Sequence, residues 1–275
     1  ILICRADLKD PVKPDGVFLL AGPSGTGKTE TARALAEFVY GDENKLITIN
    51  MTEFQEAHTV STLKGAPPGY VGFGQGGTLT ERVSHNPYSV ILLDEIEKAH
   101  PDVLEFFFQI FDLGIIEDSE GKMVSFRDCL IIMTSNLASE KITSIRDEGE
   151  IDKDKIKEMV LPLFNEHFGT AFMGRANLIP FTPLHTRTLR DIAIIKIDKI
   201  CQRFERASGQ MYKIDYSDTL IDWITHHCQC DKSGARDIDA VLNRTVLPVL
   251  ARYLIDSENN KKNKNVSKKK QYYVT

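Results

Sequence analysis

Short runs of mainly apolar residues recur along the first two thirds of the chain, and each is followed by a polar or acidic residue or by a turn. They cover residues 17–21, 46–50, 89–93, 130–134 and 177–181. Runs of this length are typical of strands that are buried in a parallel sheet. Helical or glycine-rich segments separate some of them, and residues 30–40 are rich in strong helix formers. The alternation predicts an α/β fold in which a parallel sheet is flanked by helices.

The pattern changes after Pro183, where apolar residues recur at spacings of three and four. This spacing predicts helices over residues 186–209 and 219–228. Residues 212–216 are expected to form a lone strand between these helices. The last part of the chain is therefore expected to form a smaller, mainly helical domain.

Three regions follow from these patterns: a large domain over residues 1–184, an α-rich C-terminal lid domain over 185–256, and a basic, flexible tail over 257–275. The tail carries six lysines between residues 261 and 270. We expect so polar a segment to be solvated, and residues 271–275 to return as a short edge strand. A nucleic-acid-binding arm is the alternative, but the chain as a whole is acidic, so no nucleic-acid partner is expected.

The most specific motif lies between the first predicted strand and the first predicted helix. It fits the pattern G-x-x-x-x-G-K-[ST] in full, with the residues Gly22, Pro23, Ser24, Gly25, Thr26, Gly27, Lys28 and Thr29. A glycine-rich loop between a strand and a helix turns its backbone N–H groups toward bound phosphate. Lys28 can reach the β- and γ-phosphates, and the hydroxyl of Thr29 can ligate Mg²⁺. The motif predicts a nucleotide site of the P-loop type.

Polar side chains follow two of the later strands. Asp94 and Glu95 follow the strand predicted at 89–93, and Asn136 follows the one at 130–134. The carboxyl ends of parallel strands meet at one edge of a sheet, so all three residues are expected near the glycine loop. We expect Asp94 to hold Mg²⁺, Glu95 to polarise the attacking water, and Asn136 to orient that water or to contact the γ-phosphate. The alternatives are solvated acids and an ordinary turn asparagine.

Two arginines are candidates for a phosphoryl-transfer site, which gains from positive charge near the transition state. Arg175 precedes the strand predicted at residues 177–181, and Arg236 is expected to open the last helix of the small domain. Spacing alone leaves each of them a solvated surface charge.

The glycine-rich loop over residues 65–77 contains Tyr70 and Val71 near its centre. An aromatic side chain on such a loop offers a large contact area to a peptide or a base, and a packed Ω-loop is the alternative. Residues 117–122 are polar and predict the tip of a hairpin.

Composition narrows the class of protein. The 275 residues carry a formal net charge of -5, with 42% hydrophobic and 27% charged residues, which are ordinary globular values. No apolar stretch is long enough to span a bilayer, and the N-terminus lacks the features of a signal peptide, so neither membrane association nor export is expected. Five cysteines, an odd number, predict free thiols in the cytoplasm. A metal site at His226–Cys230 is a weaker possibility, because paired C-x₂-C arms are missing.

Together, the motifs resemble the second ATPase module of the Clp-type AAA+ unfoldases. The resemblance rests on GPSGTGKTETARALAE, GAPPGYVG, ILLDEIEKAHPDV, DSEGKMVSFRD, IIMTSN, FMGR and SGARDI, and it runs from about Arg5 to about Leu254. It implies an AAA+ P-loop NTPase fold, ATP with Mg²⁺, and a homo-hexamer that acts on polypeptide. It also implies roles for single residues: Lys28, Thr29, Asp94 and Glu95 as above, Asn136 as first sensor, Arg236 as second sensor, Arg175 as the finger that reaches the neighbouring subunit's ATP, and Tyr70 in the pore.

Within this family, residues 50–65 and the sequence FGTAFMGRANLIPF look most like the ClpV branch, the type VI secretion ATPases. That likeness implies disassembly of the contracted secretion sheath, with sheath subunits as partners. A peptidase partner is not expected, because the docking tripeptide of protease-bound members does not occur between Asn136 and Phe168.

Two other functions remain open from the sequence. One is a general ClpB-like disaggregase, and the other is a nucleotide-gated assembly module without useful hydrolysis. The segment that precedes Arg5 in the family, the first ATPase module and the N-terminal domain are not in this sequence, so we expect a fragment of a longer protein.

Overall fold

The chain folds as alternating strands and helices, as a computed structural model shows for residues 6, 8–66, 69, 76–146, 152–228, 234–261 and 270–274. The strands are β1 (Gly16–Ala21), β2 (Leu46–Asn50), β3 (Val90–Asp94), β4 (Ile115–Glu117), β5 (Met123–Ser125), β6 (Leu130–Ser135), β7 (Asn177–Pro180), β8 (Tyr212–Tyr216) and β9 (Lys270–Val274). The helices are α1 (Lys28–Tyr40), α2 (Val60–Lys64), α3 (Thr78–His85), α4 (Pro101–Leu113), α5 (Ser139–Arg146), α6 (Lys153–Phe168), α7 (Thr170–Met173), α8 (Thr186–Ala207), α9 (Asp218–His227) and α10 (Ala235–Lys261).

Residue contacts divide the chain into two units. The first comprises Ile1–Gly22 and Gly27–Thr182, and the second comprises Pro23–Thr26 and Pro183–Thr275. Four residues of the glycine loop therefore belong to the second unit by their contacts.

The first unit contains a five-stranded parallel sheet in the order β2-β3-β6-β1-β7. All five predicted strands are present, and the α/β fold class is confirmed. β3 ends one residue later than predicted, because Asp94 still pairs with Asn50 of β2. β2 lies at the edge of the sheet and alternates buried and exposed residues, whereas every residue of the central strand β6 is buried.

Both faces of the sheet are covered, since alternate residues of a strand point to opposite faces. One face of the sheet packs against helix α4 in the larger core. This core contains the strand residues Leu19, Ile91 and Ile131 and the helix residues Phe107 and Phe111. The other face packs against helix α1. This second core contains the strand residues Leu20, Leu92 and Ile132 and the helix residues Ala32 and Ala36. This packing fixes the carboxyl ends of the central strands.

The polar hairpin predicted around residues 117–122 is confirmed. β4 and β5 pair antiparallel, with Ile116 opposite Val124. At the tip, the carboxylate of Asp118 accepts the backbone N–H groups of Glu120 and Lys122, each at 2.9 Å. These two hydrogen bonds close the turn.

The second unit packs α8, α9 and α10 around a core that includes Ile197, Ile224 and Leu242. The expectation of a lone strand at Tyr212–Tyr216 is wrong, because β8 pairs in parallel with β9, where the end of the chain returns as predicted. Helix α10 continues to Lys261, so the first residues of the predicted tail are helical. In the part of the chain described here, no helix is both long and apolar enough to cross a membrane.

The described cysteines are free thiols, as expected from the odd number of cysteines in the chain. They are Cys129, Cys201 and Cys228. Burial raises the pKa of Cys129 to about 12 and that of Cys201 to about 11. Both side chains therefore remain protonated and unreactive at neutral pH.

Two helices of the first unit end on a glycine in the left-handed region, and the two sites differ in the space around them. Gly41 follows α1 with φ 76°, and no atom lies within 4 Å of an added Cβ. Gly114 follows α4 with φ 59°, and its Cβ would stand 2.0 Å from the carbonyl oxygen of Val12. An alanine at position 114, but not at position 41, would add a clash with the backbone to the cost of a positive φ.

We predict that Gly41→Ala lowers the free energy of unfolding by about 1 kcal/mol, and Gly114→Ala by about 3 kcal/mol or more. Urea unfolding followed by far-UV circular dichroism measures both, with Gly41→Ala as the matched control. Equal losses in the two variants would contradict the packing described for Gly114.

Candidate nucleotide-binding site

The glycine loop follows β1, the second strand from the edge of the sheet, and leads into α1. Close packing requires a glycine at its first position, because a Cβ on Gly22 would stand 2.1 Å from the carbonyl oxygen of Phe181. Lys28 and Thr29 are the first two residues of α1, so the loop ends at a helix N-terminus. A helix N-terminus directs N–H groups and a positive partial charge toward a bound anion.

The side chain of Lys28 is buried at 7% exposure and links two loops of the site. Its Nζ donates to the carbonyl oxygen of Gly22 at 2.5 Å and to Oδ1 of Asn136 at 3.0 Å. Asn136 follows β6, which lies next to β1 in the sheet. The structure therefore brings together two residues that the sequence predicts for one site and that are far apart in the chain.

Asp94 at the end of β3 and Glu95 just after it are held by a hydroxyl group of the neighbouring strand. Oγ1 of Thr134 donates to the carboxylate of Asp94 and accepts the backbone N–H of Glu95 at 3.1 Å. Glu95 lies in the left-handed region with φ 58°, which is rare for a residue with a side chain and costs roughly 1–3 kcal/mol. Such a conformation turns the chain sharply where the strand ends, and both carboxylates are half-buried.

Glu97 links the turn after β3 to the loop after β6. Its Oε1 accepts the backbone N–H of Asn136 at 3.0 Å. Its other oxygen, Oε2, is buried and has no hydrogen-bond partner among the described residues. The backbone of Asn136 is thus held from one side, while its side chain meets Lys28.

Sequence reasoning did not identify Thr134 or Glu97 as parts of the site. Both lie within the quoted motifs, at the end of β6 and just after β3. Each acts through a partner about forty positions away, and no local pattern distinguishes them from an ordinary strand threonine or a solvated acid.

The donor set suits magnesium and phosphate. Mg²⁺ prefers oxygen ligands, which the carboxylate of Asp94 and the hydroxyl of Thr29 can supply. The ammonium group of Lys28 supplies positive charge at the start of α1, and Asn136 offers an amide. These residues fit Mg²⁺ with a nucleotide phosphate, and Glu95 adds a carboxylate that can act as a base.

In the second unit, Arg236 meets the glycine loop. Its Nη1 donates to Oγ of Ser24 at 2.8 Å, and the backbone N–H of Ala235 donates to the carbonyl oxygen of Gly25 at 2.9 Å. The start of α10 therefore contacts residues that the sequence assigns to the phosphate loop.

Arg175 has different partners, all in the first unit. It makes a two-pronged ion pair with Asp112, donates to the carbonyl oxygen of Ala171 and lies over the ring of Phe108. Among the described contacts of Arg175, none involves Lys28, Asp94 or Glu95. The structure does not bring this arginine to the site of its own chain.

Two other predictions fall wholly or partly outside the described residues. Tyr70 and Val71 lie outside them altogether. Of the segment His226–Cys230, His226 and His227 are exposed at the end of α9 and Cys228 is buried, while residues 229 and 230 lie outside. The described residues contain no group of three or more side chains arranged to hold a metal ion.

Two family models match the chain. One, described as an AAA domain of the Cdc48 subfamily, matches residues 13–179. The other, the C-terminal D2-small domain of ClpB protein, matches residues 184–267. The first covers most of the sheet-containing unit, and the second covers the three helices described in the second unit.

Curated relatives point the same way. The chaperone protein ClpB of Yersinia enterocolitica is 46% identical over 93% of this chain and 29% of its own length. The AAA+ ATPase ClpV1 of Pseudomonas aeruginosa is 49% identical over 90% of this chain and 28% of its own length. The chain thus spans less than a third of the length of these two relatives.

These matches confirm the resemblance that the motifs indicate. The order of the matched models, an AAA domain followed by a D2-small domain, is that of a second ATPase module with its small domain. The chain belongs to the Clp-type AAA+ ATPases.

Proposed function

We propose that the protein that carries this chain uses ATP hydrolysis to unfold polypeptides and thread them through a central pore. The observation that carries the proposal is the contact of Lys28 with both Gly22 and Asn136. Asn136 follows β6, and the neighbouring strand β3 has the two acids at its end. A phosphate-binding loop, a pair of acids and a polar amide at neighbouring strand ends are the parts of an NTP-hydrolysing site.

Each residue of the site has a separate task in this proposal. The backbone of Gly22–Thr29 and the ammonium group of Lys28 bind the phosphates, and Asp94 with Thr29 would hold Mg²⁺, which neutralises phosphate charge when bound. Glu95 accepts a proton from the attacking water, and Asn136 orients that water. Thr134 holds the carboxylate of Asp94 and the backbone of Glu95, so the Asp94 carboxylate needs little reorganisation.

Two arginines make hydrolysis depend on parts outside the large domain of one subunit: Arg236 on the lid and Arg175 on the neighbouring subunit. We propose a large ATPase domain over residues 1–184 and a lid over 185–256, with Arg236 as the residue through which the lid responds to nucleotide. Arg175 acts on the ATP of the neighbouring subunit in a hexamer. Its described contacts are with Asp112, Ala171 and Phe108, and its side chain is 31% exposed, which supports that role.

Tyr70 and Val71 provide the output of this cycle. We place them on a pore loop, where the aromatic ring grips an extended polypeptide during each stroke. The protein is proposed to act in the cytoplasm.

Among the roles open to such a module, we favour disassembly of a contracted type VI secretion sheath. The residues Phe168–Arg175 carry the sequence FGTAFMGR, which supports the ClpV-like role. A general disaggregase is the second candidate, and the ClpB relatives support it. Identities of 46% and 49% are too close to decide between the two.

We predict that Glu95→Gln preserves ATP binding and lowers the hydrolysis rate by about a hundredfold or more, because the amide cannot accept the proton of water. A phosphate-release assay on the assembled protein measures the rate, and a fluorescent nucleotide measures binding. Glu105→Gln, on the exposed side of α4, is the matched control and should hydrolyse ATP normally. Normal turnover in Glu95→Gln would reject the assignment of the base.

We predict that Tyr70→Ala stops the unfolding of a tagged substrate while ATP hydrolysis stays within about twofold of wild type, because only the grip on the polypeptide is lost. Tyr70→Phe keeps the ring and should keep most of the unfolding activity. Full unfolding by Tyr70→Ala would rule out the pore role.

The two candidate roles predict different substrates. The assembled protein, supplied with ATP, is expected to dissolve purified contracted sheaths, as followed by sedimentation, and to leave heat-aggregated protein unrecovered. Recovery of heat aggregates with intact sheaths left behind would establish the disaggregase role instead.

A further inference from the structure

Arg175 is held on three sides by residues of its own subunit. Its Nε and Nη2 donate to the two carboxylate oxygens of Asp112, at 2.6 and 2.7 Å. Its Nη1 donates to the carbonyl oxygen of Ala171 at 2.8 Å, and its guanidinium carbon lies 4.1 Å from the centre of the Phe108 ring. A two-pronged pair, a stacked ring and a carbonyl bond leave the side chain little rotational freedom.

Asp112 and Phe108 are one helical turn apart, on the same face of α4. Other residues of that helix, Val103, Phe107 and Phe111, are almost fully buried in the core of the first unit, and Phe108 packs against that core. The carboxylate that holds Arg175 is therefore mounted on a rigid element. Hydrogen bonding from Arg175 also holds the pKa of Asp112 below its ordinary value, so the pair stays charged at neutral pH.

The contacts leave part of the guanidinium group available. Arginine has five N–H donors, and the described contacts use three of them: one on Nε, one on Nη2 and one on Nη1. One N–H on each terminal nitrogen remains without a partner among the described residues. The side chains of Arg175 and Asp112 are each 31% exposed, so these N–H groups can meet a phosphate without breaking the ion pair.

Which N–H donors of Arg175 are occupied separates two possible roles of Asp112, a latch and a support. A latch that restrains the arginine would have to release it before catalysis. A support that orients it can stay bound, because the donors that Asp112 occupies differ from those that remain. An unsupported arginine would also lose more side-chain entropy on each engagement with phosphate.

We propose that Asp112 is the positioning residue of the arginine finger: it holds Arg175 ready for the phosphates of ATP bound to the neighbouring subunit. This inference rests on the proposed role of Arg175 and adds the residue that keeps it in place. Asp112 itself touches no substrate.

Steady-state ATP hydrolysis by the assembled protein tests the proposal, with the variants Asp112→Ala, Asp112→Asn, Arg175→Ala and the double variant Asp112→Ala/Arg175→Ala. Glu105→Ala is the matched control, because it removes an exposed carboxylate from the same helix, and no described contact joins it to Arg175. Asp112→Ala is expected to lower kcat about tenfold and to leave KM for ATP within about twofold, since a finger acts in the transition state. The double variant is expected to be no slower than Arg175→Ala.

Mixed assemblies of two variants distinguish a lost finger from a local structural defect, because only the loss of the finger can be restored by a neighbouring subunit. Subunits with Lys28→Ala bind no ATP but keep an intact pair of Asp112 and Arg175. Mixed with Asp112→Ala subunits, they are expected to raise the turnover of each remaining ATP site toward the wild-type value. A fault inside the site of the Asp112→Ala subunit would not be repaired in this way.

Several results would overturn the proposal. They are an Asp112→Ala kcat equal to or above that of wild type, a further loss in the double variant, and a failure of mixed assemblies to recover. If Arg175→Ala is slow while Asp112→Ala is normal, the finger stands and the positioning role falls. If Arg175→Ala itself is normal, both fall. Should Asp112→Ala fail to melt cooperatively, Asp112→Asn, which keeps the volume and loses the charge, decides by the same criteria.

Discussion

The buried ammonium group of Lys28 is the interaction on which the candidate site depends. It bonds the carbonyl oxygen of Gly22 and the side chain of Asn136, and so joins the loops that follow two neighbouring strands. A buried charge without acceptors would be costly, and these oxygens lower that cost. Phosphate oxygens are stronger, charged acceptors for the same group. Nucleotide binding can therefore act directly on the hydrogen bond between Lys28 and Asn136.

The hydrogen bonds around Asn136 continue to the acidic residues at the end of β3. Glu97 holds the backbone of Asn136, and Thr134 holds Asp94 and the backbone of Glu95. Glu95 keeps a left-handed conformation that a free turn would avoid. Strain of this kind persists where surrounding contacts fix the backbone, and it is common at functional sites. The sheet, with both faces buried, provides that fixed frame.

Much of this arrangement could be predicted from the sequence, because it depends on local patterns. The five strands appear as short apolar runs, and the glycine loop has a motif of its own between a strand and a helix. The partners that hold the site could not be predicted in the same way. Thr134, Glu97 and Asp112 each act on a residue distant in the chain, and the pairing of β8 with β9 joins segments far apart in sequence. Tertiary packing decides such contacts, and their residue types are common on any surface.

Calorimetric titration of Mg·ATP into the chain, with Lys28→Ala compared with Lys45→Ala, tests whether Lys28 holds the nucleotide. Lys45 is a matched control, because its Nζ also bonds an asparagine, Asn86, at 2.9 Å and lies outside the glycine loop. We predict saturable binding to wild type and Lys45→Ala, and none to Lys28→Ala despite unchanged thermal unfolding. Equal affinity of all three proteins for Mg·ATP would contradict it.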